Sequence, residues 1–185
     1  MKFNDHHKLE GAHAFLGASK HAWLRYSDDK LHQSYINSQA TVMGTRLHAF
    51  AAECIRLGQK LPRSKRTICL YVNDAITYGM TPEQILYHSD NCFGTADAIS
   101  FRGNELRIHD LKTGSNTASM EQLEIYAAMF CDEYHVSPKD IFIELRIYQN
   151  NEVFVENPDP NKILEIITLM RRFDKLINTW KEAEL

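Results

Sequence analysis

The order of apolar and polar residues in the first part of the chain predicts two helices. Ser19 precedes a short apolar stretch, and we expect it to cap a helix that ends near Tyr26. A longer helix is predicted over residues 41–57, and Gly58 is expected to end it. Its apolar face follows the i, i+3, i+4, i+7 spacing of an amphipathic helix and consists of His48, Ala51, Ala52 and Ile55.

The middle of the chain combines an undecided segment with a hairpin signal. Residues 68–80 are apolar and compatible with either a helix or a strand. Thr81 followed by Pro82 predicts the first turn of a helix, with threonine as the cap. Residues 92–101 and 106–112 then alternate as two strands around the turn sequence RGNE.

The last part of the chain predicts two more helices around a second hairpin. The helices are expected over residues 119–134 and 161–180, and the hairpin is expected to turn at Asn150 and Asn151. This order of elements favours an α/β or α+β fold with a central mixed β-sheet flanked by helices. The length of 185 residues fits one domain. We divide it into an N-terminal helical segment, a core and a C-terminal helix at residues 1–40, 41–156 and 157–185.

The composition is that of an ordinary globular protein, with 44% hydrophobic and 24% charged residues and a net charge of −3. It lacks the basic excess typical of nucleic-acid-binding proteins, although basic residues gather locally in the run RSKR at residues 63–66. There is no signal-peptide core and no apolar run that could span a bilayer, so we expect a cytoplasmic protein without a membrane partner. The four cysteines are far apart and predict buried reduced thiols.

The first hairpin carries charged residues among its apolar ones. Asp110 and Lys112 are two positions apart on a strand and share a face, and pairing can bring Asp97 beside them. Neighbouring carboxylates repel unless a cation lies between them, and oxygen ligands suit Mg²⁺ or Mn²⁺. Such an ion polarises phosphoryl oxygens and activates water, which suits phosphodiester hydrolysis. The alternative is an ordinary surface hairpin with a solvated Asp–Lys pair.

Four short motifs around this hairpin follow one another in a recognisable order. GTRLHAF covers residues 44–50, GTADAI and HDLKTG lie on the two predicted strands, and QLEIY covers residues 122–126. They resemble the G-x-x-x-H, G-x-x-D, D-x-K and Q-x-x-x-Y motifs of the PD-(D/E)XK nuclease superfamily. The branch that they resemble most is the RecB-like and phage exonuclease branch without an iron–sulfur cluster. The resemblance implies a restriction-endonuclease-like core.

The resemblance also implies a role for each matching residue. The catalytic group would consist of Asp97, Asp110, Lys112, Gln122 and Tyr126, with the last two one helical turn apart. One or two Mg²⁺ or Mn²⁺ ions would be bound by His48, Asp97, Asp110 and the backbone carbonyl of Leu111. Alternatives remain open for two of these residues: His48 could be a hydrogen-bonded core histidine, and Tyr126 could be part of the apolar stripe of its helix.

Residues outside the four motifs give weaker indications of DNA contact. Residues 13–26, HAFLGASKHAWLRY, resemble an N-terminal signature of a phage-associated subgroup. This implies DNA contacts by Ser19 and Trp23, although the Arg–Trp pair common in that signature is Ala22–Trp23 here. Arg46, two residues before His48, is the basic residue best suited to contact a phosphate.

Together these expectations describe a metal-dependent DNA exonuclease of phage or mobile-element origin. It would act on linear, end-bearing DNA in recombination or end processing. Two alternatives remain open: a non-catalytic nuclease-fold module that binds DNA or a protein, and a structure-specific endonuclease. A recombination partner protein and a homo-oligomer are further partners that the family allows. The sequence does not distinguish single-stranded from double-stranded DNA, or DNA from RNA.

Overall fold

A computed structural model describes residues 7–9, 14–114 and 119–183 of the protein. The chain divides into two compact units, Met1–Thr45 and Arg46–Leu185. The organisation expected from the sequence, one domain with an N-terminal helical segment at residues 1–40, stays a prediction. In the described ranges, no helix combines the length and the apolar character needed to cross a membrane.

Among the residues of the first unit that the structure describes, His7–Leu9 and Ala18–Arg25 form 3₁₀ helices. The second of them has Gly17 as its N-cap, without a side-chain hydrogen bond. The Gly17 carbonyl accepts both the Lys20 N–H and the Trp23 indole N–H, each at 3.1 Å. The chain therefore begins to turn before Ser19, and the prediction that Ser19 caps this helix is wrong.

Helix α1 covers Asp28–Leu57 and begins well before the predicted residue 41. Its early residues are mostly polar, so no apolar periodicity marks them. Asp28 and Asp29 in its first turn are nevertheless favourable, because acidic groups suit the positive end of the helix dipole. The end of α1 agrees with the prediction. Gly58 follows with a φ of 65°, a left-handed conformation that glycine adopts without strain.

The segment that was ambiguous between helix and strand is helix α2, Thr67–Thr77. Strand β1, Thr81–Ser89, follows it, and the predicted helical turn at Thr81 and Pro82 is wrong. β1 lies at the edge of the sheet, where proline is tolerated because its missing N–H need not join a ladder. The alternation of exposed and buried residues along β1 is the pattern of a half-buried strand.

Five strands form one mixed sheet in the order β1-β2-β3-β4-β5. The other four strands are β2 (Cys92–Arg102), β3 (Glu105–Leu111), β4 (Phe142–Gln149) and β5 (Glu152–Glu156). β3 and β4 are parallel, and the other neighbours are antiparallel. Both predicted hairpins and the α+β class with a mixed sheet are confirmed. The finer expectation of a restriction-endonuclease-like core stays a prediction.

Each face of the sheet carries its own apolar core. Helices α3 (Glu121–Glu133) and α4 (Pro160–Ala183) contribute to the first core, which includes Ile147. The end of α1 and helix α2 contribute to the second core, which includes Tyr148. Consecutive strand residues point to opposite faces, so the two cores lie on opposite sides of β4. The sheet is thereby held between two layers of helix.

Candidate active site

Three carboxylates occupy neighbouring positions on the first three strands. Glu83 of β1 falls opposite Asp97 of β2 in the strand register. Asp97 and Asp110 hold the next positions beyond the last paired residues of β2 and β3. Beyond the last pair, the backbone N–H of Leu111 donates a hydrogen bond to the Asp97 carboxylate at 2.9 Å. Glu83, Asp97 and Asp110 are termed the carboxylate row.

His48 on α1 joins this row from the helical layer. Its Nδ1 lies 3.3 Å from Asp97 Oδ2, and the two side chains are 30% and 17% exposed. One potential ligand atom each from His48, Glu83 and Asp97 lie within 4.8 Å of one another. Glu83 has a φ of 53°, a conformation that a residue other than glycine rarely adopts inside a strand. The backbone therefore departs from regular strand geometry at the glutamate of this group.

The pKa values of the group reflect crowded negative charge. Burial raises the pKa of Asp110, and Asp97 raises it further, while Lys112 acts in the opposite direction. The Glu83 side chain is exposed, yet partial desolvation and then Asp97 also raise the pKa of its carboxyl group. The hydrogen bond to Asp97 raises the pKa of the His48 imidazole, although burial opposes this. Asp97 raises the pKa of both Glu83 and Asp110 because like charges repel, and a cation placed among the carboxylates would relieve this repulsion.

Lys112 is held by a chain of side-chain hydrogen bonds. Its Nζ lies 3.0 Å from Asp110 Oδ2 and donates to Gln122 Oε1 at 2.7 Å. The Gln122 amide in turn donates to the Tyr126 hydroxyl at 3.1 Å. The predicted proximity of Asp110 and Lys112 is therefore confirmed. On helix α3, Gln122 contacts the lysine directly, as the sequence led us to expect, and Tyr126 is connected to it only through Gln122.

Gly94 on β2 makes room for Tyr126. A Cβ atom at Gly94 would lie 2.8 Å from Tyr126 Cε1, closer than real Cβ contacts. Gly94 is not among the glycines with a positive φ. The glycine of the G-x-x-D motif is thus required for the close approach of a ring rather than for a turn.

The backbone at the end of β3 is fixed by two further hydrogen bonds. The Lys112 N–H donates to the Tyr148 carbonyl at 2.9 Å, and the Gln149 amide donates to the Gly114 carbonyl at 2.7 Å. The Leu111 side chain is buried in the core on the α2 side. The metal-ligand role expected for its carbonyl stays a prediction.

The other residues expected to contact DNA are described within their own units. Arg46 in the second unit is exposed, and its side chain forms no hydrogen bond or ion pair with any residue that the structure describes. In the first unit, Ser19 is exposed. Trp23 is half-buried, and its indole N–H donates to the Gly17 carbonyl. DNA contact by Arg46, Ser19 and Trp23 stays a prediction.

The sequence analysis missed Glu83. The dipeptide Thr81–Pro82 resembles a helix start, and this interpretation removed Glu83 from the sheet. A strand over residues 81–89 paired with the following hairpin would have placed Glu83 opposite Asp97. Asp110, which was expected to be a ligand, contacts Lys112 instead and is not part of the group of three ligand atoms. Its role as a ligand stays a prediction.

The donor atoms of His48, Glu83 and Asp97 fit a hard divalent cation. Carboxylate oxygens are the ligands that Mg²⁺ and Mn²⁺ prefer, and an imidazole nitrogen shifts the preference towards Mn²⁺. The raised pKa values of Glu83 and Asp110 agree with this, because desolvation and the nearby Asp97 carboxylate both disfavour their charged forms and a bound cation would favour them. With an ammonium beside it, this arrangement can bind and polarise a phosphate group.

No family model matches the chain, and no curated protein or solved structure matches it either. What can be inferred about function therefore comes from the side chains and from the motifs they form.

Proposed function

We propose that this protein is a metal-dependent nuclease that hydrolyses phosphodiester bonds in DNA. The observation that supports this most strongly is the meeting of the carboxylate row, His48 and Lys112 around one end of β3. Solvated surface charges can also lie close together, but their side chains are largely exposed. Asp110, by contrast, is only 3% exposed and lies beside a second carboxylate and an ammonium. Such an arrangement is costly for folding and is typical of a functional site.

The residues of this site have two functions: one group would bind a cation, and Lys112 would contact the phosphate. His48, Glu83 and Asp97 would hold a Mg²⁺ or Mn²⁺ ion, and Asp110 follows on the neighbouring strand. When bound, such an ion polarises a phosphoryl oxygen and lowers the pKa of water. The protein itself orients the Asp97 carboxylate before any ion binds, because this group accepts a hydrogen bond from the Leu111 N–H and contacts His48.

Lys112 would stabilise the negative charge that develops on the phosphate. An ammonium has three N–H donors, and the contacts to Asp110 and Gln122 leave donor capacity for a phosphate oxygen. The Tyr126 hydroxyl orients the Gln122 amide, so that the carbonyl side of that amide faces the lysine. A charged donor that is positioned before the substrate binds loses little energy in reorganisation.

We further propose that the protein belongs with the RecB-like and phage exonucleases and acts on DNA ends in recombination or end processing. The support comes from contacts between different motifs. Gly94 and Tyr126 adjoin, Gln122 contacts Lys112, and His48 contacts Asp97. Residues that are far apart in four separate motifs therefore lie in one place.

Cleavage assays test this proposal directly. Purified protein is incubated with linear and closed circular DNA, single- and double-stranded, in Mg²⁺ or Mn²⁺ or with a chelator. We expect degradation of linear DNA that requires the metal and is lost in Lys112→Ala. Lys139→Ala serves as the control, because Lys139 is an exposed lysine outside the site.

The outcomes separate the alternatives. Cutting of closed circles would indicate an endonuclease, and degradation of RNA alone would change the substrate class. Metal-independent cleavage, or equal activity of wild type and Lys112→Ala, would contradict the proposed mechanism. A protein that cleaves none of the substrates but binds DNA would be a non-catalytic module.

A further inference from the structure

A cavity of about 390 Å³ lies next to the candidate active site. Its apolar lining includes Leu47, Ile68 and Leu111, and its polar lining includes Arg66, Thr113 and Asn150. It is termed the side cavity, and its lining is completed by Thr67, Lys112 and Asn151. Leu47 immediately precedes His48, and Leu111 lies between Asp110 and Lys112 in the sequence. The side cavity is thus lined by the sequence neighbours of His48 and Asp110 and by Lys112 itself.

Three polar residues of the side cavity have unused hydrogen-bonding groups. Within the described part of the chain, the side chains of Arg66, Thr113 and Asn150 form no hydrogen bond or ion pair. An arginine offers five donors in a fork that suits phosphate, and the amide and hydroxyl can donate or accept. A ligand with apolar faces and an anionic group would match this combination of linings.

One wall of the side cavity is preorganised. The Thr67 N–H and hydroxyl donate to the Asn151 amide oxygen at 3.1 and 3.3 Å, and the Asn151 N–H donates back to the Thr67 hydroxyl at 2.8 Å. These bonds join the start of α2 to the β4–β5 turn. A ligand would therefore find this wall already formed, which reduces the cost of ordering it.

The loop that leads to the side cavity is basic. Residues 58–66 contain Lys60, Arg63, Lys65 and Arg66 and no acidic residue, in a chain with a net charge of −3. In the ranges that the structure describes, the side chains of Arg63, Lys65 and Arg66 have no acidic partner. This concentration of unpaired positive charge is complementary to a polyanion that passes into the side cavity.

We infer that the side cavity binds the terminal nucleotide of the DNA substrate, with its phosphate at Arg66 and its sugar and base against Leu47, Ile68 and Leu111. This inference rests on the proposed function, which it makes more specific. The volume lies in the range of about 300–1,000 Å³ that is usual for small-molecule sites. A nucleotide held there would place the adjoining phosphodiester towards Lys112 and the carboxylate row.

Binding of mononucleotides tests the inference without relying on cleavage. Thymidine 5′-monophosphate and 3′-monophosphate, thymidine and inorganic phosphate are titrated into the full chain in a chelator, with calorimetric detection. We expect at least one monophosphate to bind more tightly than either thymidine or phosphate. Arg66→Gln should weaken that binding by roughly tenfold, since a charge-assisted hydrogen bond is lost.

Two further variants make the test specific. Ile68→Trp should fill the side cavity and abolish nucleotide binding. Arg63→Gln, in the same basic loop but outside the lining, should leave binding of the mononucleotide unchanged. Thermal unfolding establishes that each variant is folded, and if Ile68→Trp is not, the comparison of Arg66→Gln with Arg63→Gln decides alone.

The results distinguish this inference from the proposed function. No monophosphate binding by the wild type, equal binding by Arg66→Gln, or equal affinity for phosphate and the mononucleotides would overturn the side cavity as a nucleotide site. Absence of DNA cleavage together with nucleotide binding that depends on Arg66 would contradict the nuclease proposal and leave the nucleotide site standing. DNA cleavage without nucleotide binding would contradict the nucleotide site and leave the nuclease proposal standing.

Discussion

Two neighbouring groups of polar side chains, one between helix α2 and the sheet and the other around the end of β3, satisfy their charges in different ways. The first is termed the paired network and consists of Asp74, Tyr78, His109, Arg146 and Tyr148. Arg146 reaches Asp74 at 3.3 Å and the Tyr78 hydroxyl at 3.0 Å, and the Tyr148 hydroxyl donates to Asp74 at 2.8 Å. Burial lowers the pKa of His109 to about 3, and the two nearby arginines add to this, so the ring remains neutral.

In the carboxylate row, whose Asp110 directly follows His109 in the sequence, charge is compensated less completely. Asp110 contacts Lys112, and Asp97 contacts an imidazole, but no residue in the described ranges forms a hydrogen bond or ion pair with the side chain of Glu83. Burial and neighbouring charge then raise the pKa of Glu83 and of Asp110. The comparison teaches that buried charge matched by fixed partners belongs to the structure of the fold. Carboxylates that raise one another's pKa beside an imidazole and an ammonium are instead candidates for a functional site.

The largest expected effect is the loss of cleavage in Asp97→Asn. This substitution removes the negative charge beside His48 and Glu83, with which Asp97 forms the group of ligand atoms, but keeps the shape of the side chain. We expect activity to fall by more than about a hundredfold and Mn²⁺ binding, measured by calorimetry, to be lost. The free energy of unfolding of the metal-free protein should change by less than about 1 kcal/mol, because repulsion with Asp110 is relieved. A loss of stability without a loss of metal binding would contradict the comparison.

The opposite result is expected for Arg146→Met in the paired network. The substitution removes the Arg146 guanidinium from Asp74 and Glu144, although Glu144 keeps Arg107 as a partner, and methionine replaces the apolar stem. Because Asp74 is 38% exposed, the loss in the free energy of unfolding should lie below that of a fully buried pair, at roughly 2–3 kcal/mol. Urea unfolding measures this loss. Metal affinity should remain within a few-fold of the wild type at temperatures where the variant is folded, and a larger drop would show that the two groups are coupled.

A smaller effect is expected for Gly94→Ala, which sharpens the comparison within the site. The added methyl group would meet Tyr126 at 2.8 Å and displace the ring. We expect a loss of about 1–3 kcal/mol in the free energy of unfolding, as for other overpacked positions. Cleavage should fall because Gln122 loses the hydroxyl that orients it. Tyr126→Phe is the matched control, since it removes the hydroxyl without crowding, and it should lose activity but little stability.

The smallest expected effect concerns pH and His48. The hydrogen bond to Asp97 raises the pKa of this imidazole above its ordinary value of 6.5. Protonation therefore stabilises the metal-free protein, fully at pH values below the ordinary pKa and not at all once the pH has risen through the folded pKa. Metal binding needs the neutral ring, so Mn²⁺ affinity should rise over that same window. Calorimetry as a function of pH should show this rise in the wild type and a weaker one in His48→Gln.

The parts of the fold that local patterns control were predictable from sequence. The two hairpins have alternating strands and turns at Asn104, Asn150 and Asn151 with positive φ, so their signals are contained within a few residues. β1 was missed because its first two residues carry a strong helix-start signal, which pairing with β2 overrides. The first half of α1 was missed because polar residues provide no apolar period.

The candidate site was predictable to the extent that its residues lie in motifs. His48, Asp97, Asp110, Lys112, Gln122 and Tyr126 were named from sequence, and hydrogen bonds or ion pairs connect them within two groups. Glu83 was not named, because a position opposite Asp97 exists only once the strands are paired. The sequence also did not show that Asp110 contacts Lys112 while Asp97 joins the group of ligand atoms, since this depends on side-chain orientation.

The backbone conformation of Glu83 lowers the stability of the fold. A left-handed φ in a residue other than glycine costs about 1–3 kcal/mol, and glycine would adopt it freely. Glycine at position 83 should therefore raise the melting temperature of the metal-free protein while removing a ligand atom. A screen for thermostability alone would select against this carboxylate, and a screen for metal-dependent turnover would retain it.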